Sequence, residues 1–145
     1  MSEVLDLSGA DMTGFELLPS NTYDATVYAI EDVEVQADGG SLPQGTPGFK
    51  FQYRIDGGEY DGRYVWSNYW RAPDGHDKKS VMDGIFAKTL QALGYGEKEL
   101  TSGKFKFDRE DVVSRECAVV VGQKDGYNNV KNVKSRVQGG SDDLL

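Results

Sequence analysis

The stretch from Phe49 to Trp70, FKFQYRIDGGEYDGRYVWSNYW, decides how the rest of the chain is read. Its first half alternates strictly. Phe49, Phe51, Tyr53 and Ile55 fall on one face, and Lys50, Gln52 and Arg54 on the other, as in a half-buried strand. The segment Asp56-Gly57-Gly58-Glu59-Tyr60-Asp61-Gly62 offers the positive-φ positions that a turn needs. Arg63 to Trp70 then returns beside the first arm, so the stretch is predicted to be an aromatic hairpin. Phe49, Phe51 and Tyr53 are expected in a core, with Lys50 and Arg54 pointing outward. Tyr64, Trp66, Tyr69 and Trp70 must divide between the two faces, because positions of opposite parity point in opposite directions.

Upstream, Tyr23 to Gln36 places Tyr23, Ala25, Val27, Ala29, Val33 and Val35 at odd positions with polar residues between them, which predicts a long first strand. Tyr28 and Ile30 break the alternation, and a bulge or bend is expected there. Residues 37–48 are too rich in Gly and Pro for a helix or a central strand and read as a flexible connection. Downstream, Met82, Phe86, Leu90 and Leu93, with Val81 and Ile85, recur at helical spacing; Ser80 with Asp83 resembles a capping box, and Gly94 is a natural stop. The segment 94–111 is polar and turn-rich. Cys117–Val121 reads as a buried strand, Asp125-Gly126 as a turn, and Val130–Val137 as a last strand with Val133 and Val137 opposite Lys134 and Arg136. Three strands, a helix and two strands make a mainly β (α+β) chain in the order of the OB-fold, a five-stranded, partly open barrel with its helix between strands 3 and 4. Other small α+β domains and lipocalin-like fragments share such patterns, and fold alone does not give function. The expected division is a flexible arm over 1–14, the OB-fold-like domain over 15–138, and a flexible acidic tail over 139–145.

The chain has 145 residues, one domain's worth, enough to bury roughly 68–70% of its unfolded surface. Its single cysteine, Cys117, excludes a disulfide framework within the chain; its apolar setting suits a small buried hydrophobe in a reducing compartment. The apolar runs fall far short of the ~20 residues that span a bilayer, and the acidic start MSEVLDLSGADM is no secretion signal, so an intracellular protein without a membrane partner is expected. The lone His76 lies in a Gly/Asp surface loop, leaving neither a zinc set nor a Ser-His-Asp arrangement to assemble. The spacing from Gly96 to Lys104 does not fit a phosphate-binding loop. No cofactor is implied, and an enzyme is disfavoured.

Net charge is −8, unevenly spread: residues 1–61 carry 12 acids against 2 bases, and residues 62–145 carry 12 acids against 14 bases. A net negative chain is not a default nucleic-acid binder, but a Debye length of about 8 Å lets a local basic stripe act independently of distant acids. Single-stranded nucleic acid exposes π-faces beside phosphates, which call for rings beside cations. Arg63, Tyr64, Trp66, Tyr69, Trp70 and Arg71 bring both together within nine residues. A second line, Lys124, Tyr127, Lys131, Lys134 and Arg136, lies on the last hairpin. If it shares a groove with Arg54, Arg63 and Arg71, about six phosphates are in reach and the log–log salt slope is near −4. Lys50 is a further candidate contact. After the tether Gly139-Gly140-Ser141, the residues Asp142, Asp143, Leu144 and Leu145 suit docking on a partner protein with a basic rim and an apolar pocket. The acidic first half also fits a rival reading, a protein-interaction module or an acidic DNA mimic that inhibits a host enzyme.

Phe15-Glu16-Leu17-Leu18-Pro19 leading to Tyr23-Asp24-Ala25-Thr26-Val27, then Gly45-Thr46-Pro47-Gly48-Phe49-Lys50-Phe51, Gly62-Arg63-Tyr64-Val65-Trp66-Ser67-Asn68 and Tyr127-Asn128-Asn129-Val130-Lys131 together resemble a bacteriophage family of small single-stranded DNA-binding proteins, long described as a phage domain of unknown function. The resemblance covers most of residues 13–137. It implies an OB-fold and a part in phage DNA replication, recombination or repair in the host cytoplasm. The tail is similar in kind to acidic tips that recruit replication or recombination proteins, although it has only two acids and no Pro-Phe ending. The oligomeric state stays open, a homo-oligomer included.

Overall fold

A computed structural model of the chain describes residues 2–10, 16–37 and 39–136. Within them the strands are β1 (Asn21–Glu34), β2 (Pro47–Ile55), β3 (Tyr64–Trp70), β4 (Glu116–Lys124) and β5 (Tyr127–Lys134). The helices are α1 (Lys79–Ala92) and two single turns, α2 (Glu97–Leu100) and α3 (Arg109–Val112). The strands form one antiparallel sheet in the order β3-β2-β1-β4-β5. β1 is the spine: its first half pairs with β4 over Asn21–Thr26, and it pairs with β2 from Ala25 to Glu34. The register shifts between Val27 and Ala29, which places a bulge at Tyr28 where the broken alternation predicts one. The sheet curls until its free edges, β3 and β5, face each other across a cleft of about 420 Å³, lined by Ser67 and Tyr69 on one side and residues 130–133 on the other. No ladder joins these edges, so the sheet is not closed.

The concave face carries the core. Phe51, Tyr53, Ile55, Val65 and Tyr69 of the hairpin meet Ala25 and Val27 of β1 and Cys117, Val119 and Val121 of β4. One end is plugged by α1 through Phe86, whose ring centroid lies 5.7 Å from Phe49, 5.9 Å from Phe51, 5.3 Å from Tyr69 and 5.5 Å from Phe107. Leu18 is fully buried; its backbone N–H donates to Asn128 Oδ1, and its carbonyl accepts from Gln123 and Asn128. Burial pushes the Cys117 thiol up to about 12, the state of an inert hydrophobe.

The expected hairpin and helix form, with differences at their edges. No capping box forms: α1 starts at Lys79 with Lys78 as an uncapped N-cap, and Asp83 is engaged by Lys79 and Arg71. The stop at Gly94 is a Schellman turn, with Gly94 N–H on Gln91 O, Tyr95 N–H on Leu90 O, and Gly94 at φ 114°. The polar segment 94–111 holds α2 and α3. β4 runs on to Lys124 and β5 begins at Tyr127, because Asp125 and Gly126, both at positive φ, make a two-residue turn that lets pairing continue to Lys124–Tyr127. His76 is not a plain surface residue; it is half-buried and hydrogen-bonds the Ser41 carbonyl at 2.8 Å, tying 72–78 to the loop after β1. Residues 2–10 are exposed, and Val137 and the tail lie outside the described residues. Among the described residues no helix is long and apolar enough to cross a membrane.

Tyr53 and Tyr69 share a buried hydroxyl–hydroxyl bond of 2.7 Å, and burial pushes the Tyr53 phenol well above its ordinary value. Either single Tyr→Phe change strands the other hydroxyl, which costs about 1–3 kcal/mol, whereas removing both is close to neutral. Urea unfolding of Tyr53→Phe, Tyr69→Phe and the double variant is expected to find the double variant more stable than at least one single. Additive losses contradict this account.

Candidate nucleic-acid interface

The convex face of β2 and β3 is set by the ladder that builds the core. Gly48, Lys50, Gln52 and Arg54 of β2 lie opposite Trp70, Asn68, Trp66 and Tyr64 of β3, all on the side away from the core. The bulge adds Tyr28 to this face: its ring centroid lies 5.1 Å from that of Tyr64, which lies 6.3 Å from Trp66. The three rings form a continuous platform, with Trp66 46% and Tyr28 49% exposed. Cations flank it. Lys50 Nζ sits 5.9 Å from the Trp66 centroid and makes no ion pair among the described residues, and the Arg54 guanidinium lies 6.0 Å over Tyr28 with only a 3.7 Å contact to Asp56. Rings tilted against one another at 57° and 41°, with cations at their faces, present the chemistry that an unpaired base and its phosphate require.

Farther along β3, the Trp70 indole lies against Gly48 and lines a groove of about 1100 Å³. Arg71 stands at this groove with its charge partly met by Asp83 at 3.5 Å and its guanidinium 6.0 Å from Phe86.

Three expected site residues are placed elsewhere. Tyr69 is core, 5% exposed, on the same face as Val65. Arg63 turns from the platform and donates to the Glu16 carbonyl at 2.5 Å. Arg136 is a structural pin: it donates to Asp56 and to the Ala25 carbonyl, both at 2.7 Å, and pairs with Glu116 at 3.4 Å and Asp24 at 3.9 Å. Its charge is spent within the fold.

The second cationic line is at the far end of the strand order. Lys124 and Tyr127, the latter 75% exposed, flank the β4–β5 turn, and Lys134 lies opposite Ala118. Lys131 packs over Gly122, where an added methyl would come 2.9 Å from its Cδ, and it lines the cleft facing β3. Lys131 thus belongs to the edge that approaches β3, while Lys124 and Tyr127 stand at the turn. None of these three lysines makes an ion pair among the described residues. Asp142, Asp143, Leu144 and Leu145 lie outside them.

The chain matches no family model and no curated sequence. Tyr28 is the member of the platform that strand parity alone passes over; the signal was the broken alternation, because a bulge lets two consecutive residues face the same side. Gly48 was a second unread signal, since glycine inside a strand marks close approach by another group.

The Arg136 pin has a pH signature. Partial burial would raise the Asp56 carboxyl, but hydrogen bonds from Thr26 and Arg136 and the nearby guanidinium charges outweigh it and hold the group below the ordinary aspartate value of 3.8. A depressed carboxyl contributes its stability above 3.8 and loses it as pH falls through the lower folded-state value. Arg136→Met is expected to cost about 1–2 kcal/mol near neutral pH, allowing for partial exposure. The gap from the unmodified protein should narrow below pH 3.8. Urea unfolding across pH checks this, and a gap that is constant with pH contradicts the pin.

Proposed function

We propose that the protein binds single-stranded DNA, without strong sequence preference and without catalysing a reaction, on the β2–β3 face of an OB-type barrel. The observation that carries this reading is the Tyr28–Tyr64–Trp66 platform flanked by Lys50 and Arg54. The strand order, with α1 between β3 and β4 and the β3 and β5 edges brought together, agrees with an OB barrel, and such barrels bind oligonucleotides on the strand 2–3 face. The similarity to phage single-stranded DNA-binding proteins supports the same reading and extends it to phage DNA replication, recombination or repair in the host cytoplasm, with residues 142–145 recruiting partner proteins. The acidic-mimic alternative draws less support, because Asp24, Asp32 and Asp56 of the acidic half are engaged by Arg136 and Arg109.

With Arg136 locked and Arg63 turned away, three to four cations remain near the platform and groove: Lys50, Arg54, Arg71 and, from the facing edge, Lys131. Fluorescence anisotropy with labelled oligo-dT should give a log–log salt slope of about −2 to −3, shallower than a face with every arginine free. Trp66→Ala is expected to weaken binding by about 1–3 kcal/mol while leaving the urea midpoint nearly unchanged, since the ring lies outside the core. Absence of binding at about 50 mM salt overturns the reading. Equal losses of binding and stability would return Trp66 to the core.

A further inference from the structure

The groove beside Trp70 is separate from the open platform and differs from it in kind. Its walls are mainly apolar: Val33 and Val35 at the end of β1, Leu42 in the following loop, Pro47, Trp70, and Met82 from α1. Lys50 and Arg71 also line it. Of the two acids in its lining, Asp32 is held in an ion pair by Arg109, while Glu34 makes no ion pair among the described residues and shares the lining with Lys50 and Arg71. The Trp70 ring has its position because residue 48 lacks a side chain. A methyl on Gly48 would come 2.6 Å from the ring carbon Cε3, 3.1 Å from Cζ3 and 2.9 Å from the Tyr69 carbonyl oxygen. A bare backbone is therefore the surface against which the indole lies.

We infer that Trp70, seated on Gly48, forms a second base-binding subsite, occupied by a nucleobase of the same DNA strand that stacks on the Tyr28–Tyr64–Trp66 platform. The inference rests on the single-strand reading above. The occupant follows from continuity: Lys50 is shared, lining the groove while its ammonium group lies over Trp66, so a phosphate held by Lys50 has the platform on one side and the groove on the other. Apolar walls with cations beside them suit a base directed inward with its phosphate at the mouth. Trp66 and Trp70 are four residues apart on one strand, about 13 Å. At a stacked spacing of about 3.4 Å, that distance is about four nucleotides. A strand shorter than this fills one position; a longer one fills both.

The test uses each tryptophan as its own reporter. Trp66→Phe leaves Trp70 as the only tryptophan, and Trp70→Phe leaves Trp66. With oligo-dT of about ten nucleotides, within the usual span for one OB-fold, both single-tryptophan proteins are expected to be quenched on binding. Gly48→Ala, which displaces the indole, and Trp70→Ala, which removes it, should each weaken that oligonucleotide on the order of tenfold. Both should leave an oligonucleotide of about three nucleotides bound as in the unmodified protein, since it needs only the platform. The short oligonucleotide also reports that each variant remains folded. Binding of the longer oligonucleotide with Trp70 fluorescence unchanged, or with affinity unaltered by both Gly48→Ala and Trp70→Ala, overturns the second subsite and leaves the platform reading standing. If the unmodified protein binds neither oligonucleotide, the single-strand reading fails and the subsite with it.

Discussion

The antiparallel pairing of β2 with β3, Gly48 opposite Trp70 and Arg54 opposite Tyr64, is the constraint on which the core and the candidate interface both depend. Side chains along a strand alternate, so one register commits Phe51, Tyr53, Val65 and Tyr69 to the interior and Lys50, Gln52, Trp66 and Trp70 to the exterior. A slip of one residue would exchange the two sets. The interior set resists that slip: Phe51 and Tyr69 meet edge to face at 4.9 Å, and both touch Phe86 of α1. Core packing therefore holds the exposed rings in register even though those rings contribute little to the core.

The period-two pattern of Phe49–Ile55 made the first arm legible without a structure, because a half-buried strand has no other way to arrange such residues. The second arm was legible only in part. Alternation required Tyr64, Trp66, Tyr69 and Trp70 to separate, but parity cannot say which set faces inward; Val65 and the Tyr53–Tyr69 hydroxyl pair decide it. Tyr28 was hidden for a related reason: the bulge was expected, but which ring it would turn outward depends on pairing with a strand more than 20 residues away. Charge was the least legible feature. Arg136 and Lys134 look equivalent along the chain, yet one is surrounded by carboxylates from β1, β4 and the 56–62 turn while the other has none.

That difference bears on how an acidic chain can present a basic face. Arg136 joins Asp24, Asp56 and Glu116 at one end of the sheet, and Arg109 meets Asp32 at the other. These pairs consume acids of the front-loaded half as well as arginines. Lys50 and the lysines of β5 keep their charge free among the described residues. Arginine's planar fork suits multidentate pairing within a fold, whereas a lysine ammonium on a flexible stem remains hydrated and available. The cations beside the platform are therefore Lys50 and Arg54, on a chain whose total charge is negative.

The core and the exposed rings are kept apart on this sheet except at one position. Tyr28, Tyr64 and Trp66 lean on one another and on cations, so each can change with small effect on the core. Trp70 is different, because its ring lies on backbone at the end of the same ladder that orders Phe49 and Tyr69. A side chain at 48 would press on both the indole and the Tyr69 carbonyl, disturbing ring position and strand pairing together. Glycine inside a strand usually weakens it, and here that weakness is offset by the indole covering the exposed backbone. The groove beside Trp70 thus exists only while Gly48 and Trp70 remain a pair, whereas the open platform next to it is joined through Tyr64, whose ring meets both Tyr28 and Trp66.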